Sequence, residues 1–73
     1  MINNLDIAKQ ISDLMLECGA RLDKSVALVR DECAPDDFQM YRRAVGKVMG
    51  EILLEVLNPL YKTHPTLKPP EMR

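Results

Sequence analysis

From Phe38 to Tyr61 the apolar positions fall in two helical rows. One runs Phe38, Tyr41, Val45, Val48, Ile52 and Val56; the other runs Gly46, Gly50, Leu53, Leu57 and Leu60. At about 100° per residue the rows lie side by side and cover well over a third of a helix circumference. A helix with one neighbour needs one stripe, so this pattern predicts a helix with two neighbours. The chain offers only one other helix of comparable length. Its apolar row reads Ile7, Ile11, Met15, Cys18, Leu22, Val26, Val29 and Cys33, with Leu14 on its flank. The row keeps its phase across Gly19, which predicts continuity there, with a kink at Gly19 as the alternative.

Punctuation sets the expected boundaries. Asn3 or Asn4 can cap the first helix, and Asp6 suits its first turn. Pro35 suits a first helical position, Asp36 and Asp37 follow it, and the residue before a proline avoids the α region. The reading is a helix over 4–33, a turn at 34–35, a helix over 35–58 limited by Pro59, and a tail over 59–73. A short link makes the helices antiparallel. The expected fold is therefore all-α: an antiparallel hairpin of two long helices with an extended, proline-containing tail. Leu67 and Met72 are candidate anchors for that tail. At Pro59 a kink is the alternative to a stop, with Leu60 and Tyr61 prolonging the last turn.

Length makes association the natural completion of this fold. A 73-residue chain buries only about 60% of its unfolded surface. Small domains compensate with disulfides, metals or oligomerisation. Cys18 and Cys33, on one continuous helix, stand about 22 Å apart, beyond disulfide reach. No CxxC occurs, and the single histidine, His64, stands beside Pro65. A homodimer forming a four-helix bundle is the expected assembly. Its seam is Gly46, Gly50, Leu53, Leu57 and Leu60, where the glycines permit close backbone approach. Leu16, Leu28 and Leu54 fall off the main stripes and add to the surface open to a partner.

Charge and chemistry narrow the function classes. Ten basic residues against eleven acidic ones argue against a dedicated nucleic-acid or anionic-membrane binder. Arg42, Arg43 and Lys47, joined by Arg21 and Lys24, form at most a modest basic patch, better read as a solvated face. Glu17, Glu51 and Glu55 lack the histidines of a carboxylate-bridged metal bundle, and Lys47 with Glu51 makes a surface pair. Cys18 and Cys33 read as small core residues. No nucleophile, base and orienting group assemble, so no enzyme, cofactor or metal site is expected. No basic segment precedes an apolar core at the start, and no apolar run reaches the about 20 residues of a membrane span. With unpaired cysteines, a cytoplasmic setting is expected. The leading reading is a non-enzymatic protein-interaction module, a small adaptor or regulator acting as a homodimer. It can meet another protein through exposed apolar residues or the tail. The alternatives are a nucleic-acid-associated regulator with paired Arg42/Arg43/Lys47 patches, and a small-molecule binder in the bundle core.

Overall fold

The computed structural model describes residues 1–70. Helix α1 spans Leu5–Glu32 and runs unbroken through Gly19. Asn4 caps it: its side-chain oxygen accepts from the Ile7 backbone N–H at 3.1 Å, satisfying one of the unpaired donors of the first turn. Cys33 and Ala34 are extended, and the Cys33 N–H donates to the Val29 carbonyl. Helix α2, Pro35–Glu51, then starts on its proline. The first helix is thus one residue shorter at each end than the predicted 4–33, and the turn sits at 33–34.

The second arm departs further from expectation. After α2 the chain widens into a π-helical segment, Ile52–Leu57, and continues as α3, Asn58–Thr63. Pro59 does not end the helix at 58. A proline inside an α-helix clashes with the carbonyl four residues back and removes one hydrogen bond. Here the Asn58 N–H reaches back five residues, to the Leu53 carbonyl, and the wider turn accommodates the ring. The tail shortens accordingly. His64 closes α3 through its N–H to the Leu60 carbonyl, and Pro65–Leu67 form a 3₁₀ turn in place of the expected extended tail. Leu67 is half-buried, whereas Met72, the second expected anchor, lies outside the described residues.

The π segment also changes which residues face inward. In an unbroken α-helix Leu57 and Tyr61 would lie about 120° and 160° from Val45. One extra residue in the turn rotates the remainder of the arm by about 100°. Leu57 and Tyr61 therefore come back onto the Val45 side, Leu60 goes from about 60° on one side of Val45 to about 40° on the other, and all four are at most 5% exposed. Leu60, at 0% exposure, is the largest completely buried side chain among the described residues. From α1 the core takes Ala8 and Ser12, while Ile7, placed on the inward row by periodicity, stays 45% exposed. On α2, Val48 is half exposed and Met49 is the more buried of the two.

Two tyrosine–serine pairs join the arms. Ser12 and Tyr61 share a buried hydrogen bond of 2.6 Å. Ser25 donates to the Leu22 carbonyl, so Tyr41 O–H donates to Ser25 Oγ at 2.8 Å. No buried side-chain polar atom among the described residues lacks a partner. The core is small and its one buried serine is committed, so each half of the Ser12–Tyr61 pair depends on the other. Tyr61→Phe or Ser12→Ala alone should each cost about 1–3 kcal/mol, because a buried hydroxyl is left unpaired. The double variant should cost less than the two singles combined, by about 1 kcal/mol or more. Urea unfolding of the four proteins measures this coupling, and strict additivity would show that the hydroxyls act independently.

The N-terminal residues close the open end of the hairpin. His64 Nε2–H donates to the Ile2 carbonyl at 2.6 Å, and the Met1 amine donates to Thr63 Oγ1 at 3.0 Å. The single histidine thus serves as a clasp between the two ends. The whole measures 45 × 20 × 16 Å.

Candidate functional site

An apolar groove of about 430 Å³ lies midway along the hairpin. Helix α1 contributes Met15, Leu16 and Gly19; the second arm contributes Met49, Gly50, Ile52, Leu53 and Leu57. None of these side chains is polar. The groove belongs to one side of the hairpin. In antiparallel helices the flanks displaced from the core direction in the same rotational sense face the same way. Leu16 lies about 80° round α1 from Ala8, and Leu53 about 80° round the second arm from Val45, in the same sense; each remains 37% exposed.

The glycines of this side are open. A Cβ built on Gly46 or Gly50 meets nothing within 4 Å. No element of the chain uses the close approach these two positions permit, although each costs about 1 kcal/mol against alanine in a helix interior. Gly19 differs: a Cβ there meets Met49 Cε at 4.0 Å, ordinary packing distance.

The predicted seam is therefore divided. Gly46 is exposed, Gly50 is half-buried and Leu53 stands on the rim. Leu57, at 4% exposure, forms the floor of the groove, and Leu60 is completely buried, so both pack chiefly within the single chain. The reason is the π segment, which turns the second half of the second row inward. Sequence periodicity assumed an unbroken α-helix and placed all five on one outer flank. The readable signal was Pro59, a proline inside a helical pattern.

The basic residues do not form one patch. Arg43 and Lys47 line a shallow concavity of about 320 Å³ with Gln39, Met40 and Ala44. Arg42, the next residue round the helix, is turned about 100° away from Arg43. Lys47 makes no ion pair with Glu51; the ion pairs among the described residues are Lys9–Asp13 and Arg30–Asp31, both exposed. Cys18 is half-buried, but Cys33 is exposed and is not a core residue. Its position beyond the last turn of α1 places it at the tip of the hairpin.

Chemistry elsewhere is sparse. No group of three His, Cys, Asp or Glu residues among the described residues is arranged to hold a metal ion. His64 is engaged by the Ile2 carbonyl, and no described helix is long and apolar enough to cross a membrane. The surface itself is the conspicuous quantity. The chain exposes 5589 Å², whereas a folded monomer of 8.3 kDa exposes about 4,600 Å². The surplus of about 1,000 Å² is comparable to the roughly 800 Å² that each partner buries in a protein–protein interface of standard size. No protein-family model, curated protein or solved structure matches this chain.

Proposed function

We propose that this chain is a non-enzymatic protein-interaction module that acts as a homodimer, joined through the groove side of the hairpin. The observation that carries the reading is the open apolar groove lined by Gly50, with the equally open Gly46 one turn before it. Two helix-weakening residues leave room that nothing within the chain fills, next to apolar side chains that nothing covers. A second chain would bury the surplus surface and complete a four-helix bundle. The two unpaired cysteines suit a reducing, cytoplasmic setting.

Sedimentation equilibrium across a wide concentration range tests the reading; a reversible dimer is expected. Gly50→Leu should weaken it by about 10- to 100-fold, because overpacking a close contact costs about 1–3 kcal/mol. The same substitution leaves the single chain folded, since the space at Gly50 is empty and leucine favours a helix. A dimer that is unchanged by Gly50→Leu removes the groove from the interface.

An apolar small molecule is the second reading, favoured by the groove volume, which falls in the range of ligand pockets. It predicts a rise in melting temperature with added ligand. The groove has no polar group to orient such a ligand, which favours the protein partner.

A further inference from the structure

The geometry points to a second copy of this chain seated on the groove in an antiparallel sense, with the acidic tip of each hairpin against the basic end of the other. This inference rests on the interaction-module reading and specifies the partner and its orientation. Two observations carry it.

The first is where the groove lies. Gly19 is near the middle of α1, Leu5–Glu32, and Gly50 is near the middle of the second arm, which runs from Pro35 to Thr63. A two-fold axis through the groove therefore relates two bodies along nearly their full 45 Å length. Closed dimers use one surface on both copies, so residues near the axis meet their own counterparts. With the axis across the hairpin, second arm packs on second arm, and the Gly50 positions face each other where a short interhelical distance is needed. The surplus surface described above is about what one partner contributes to such a contact.

The second observation is charge at the two ends. Asp31, Glu32, Asp36 and Asp37 cluster at the tip against the single Arg30, and all five are exposed. At the other end stand the Met1 amine, Lys62 and Lys68 against Asp6, while Lys9 and Asp13 cancel as an ion pair. Among the described residues the tip therefore carries a net −3 and the opposite end a net +2, in a chain whose overall charge is near zero. An axis along the hairpin would set two acidic tips side by side. An axis across it sets acid against base at both ends of the dimer. Complementary charges of this kind fix register and exclude the wrong orientation more than they add affinity.

Spin labels on the native Cys33 thiol read the orientation directly, with Cys18→Ala leaving a single site per chain. The antiparallel dimer places the two labels at opposite ends of a 45 Å body, so a separation of roughly 40 Å or more is expected. A separation below about 20 Å, the distance across neighbouring helices, overturns the orientation while leaving the dimer itself standing. A folded chain that sediments as a monomer at all concentrations overturns both. Charge reversal gives an independent check. Asp36→Lys with Asp37→Lys should weaken the dimer about tenfold. Adding Lys62→Glu and Lys68→Glu to the same chain should restore most of that loss, because the ends are again complementary. If the second pair of reversals brings no recovery, the end-to-end pairing is wrong; loss of helix stability at Asp36 and Asp37 would not be repaired from the far end.

Discussion

Leu60→Ala is expected to lower the stability of the single chain by about 2–5 kcal/mol. Leu60 is completely buried, and the described core around it consists of only four other apolar residues: Ala8, Val45, Leu57 and Tyr61. A cavity there has few neighbours able to collapse into it. In a domain of this size each kcal/mol moves the melting temperature by about 4–8 °C, so a fall of more than about 10 °C is expected by circular dichroism. Leu28→Ala is the control: Leu28 is 62% exposed, and its loss should stay within about 0.5 kcal/mol. Running the melts at several protein concentrations separates a core role from an interface role. If Leu60 belonged to the dimer seam, as the sequence rows imply, Leu60→Ala would melt like the parent at the lowest concentrations. A core residue lowers the transition at every concentration.

Inserting one alanine after Leu54 is expected to abolish the folded state, whereas Leu54→Ala should change stability by less than about 0.5 kcal/mol. The contrast isolates the backbone. Leu54 lies within the π segment and its side chain is 63% exposed, so truncation removes little contact. The π segment already absorbs one extra residue, and an inserted one turns the chain beyond it by about a further 100°. With one turn widened and a further residue to carry, Leu57 and Tyr61 would point about 120° and 160° from Val45, and Tyr61 would leave Ser12. Far-ultraviolet circular dichroism and urea unfolding of the two variants read the outcome directly. An insertion variant as stable as Leu54→Ala would mean that the phase set by the π segment is not what brings Leu57 and Tyr61 into the core.

Pro59 shows how local signals and packing compete. Its sequence reading, a stop at residue 58, follows from a real steric cost. That cost is met by widening one turn, which a chain accepts when the residues beyond it have a core to enter. Leu57, Leu60 and Tyr61 supply that core, and the hydroxyl of Tyr61 adds the bond to Ser12. None of this is a property of the segment alone. The same residues in a solvated peptide would have no reason to hold a π turn.

Features governed by short-range forces were legible along the chain. Asn4 and Pro35 start the two arms because capping and a fixed φ act on neighbours. The unbroken phase across Gly19 keeps α1 whole. The exposed positions of Leu16, Leu28 and Leu54 follow from periodicity alone. Folding settled the features for which angular phase must be carried across an irregular turn or partners are distant in the chain. It moved Leu57 and Leu60 from the outer flank into the core, paired Ser12 with Tyr61 and Ser25 with Tyr41, and brought His64 onto Ile2. It also left Gly46 and Gly50 open beside the groove. A helix pattern records direction only while every residue turns the chain by the same angle; one wider turn resets it, and only the packed molecule shows where it points afterwards.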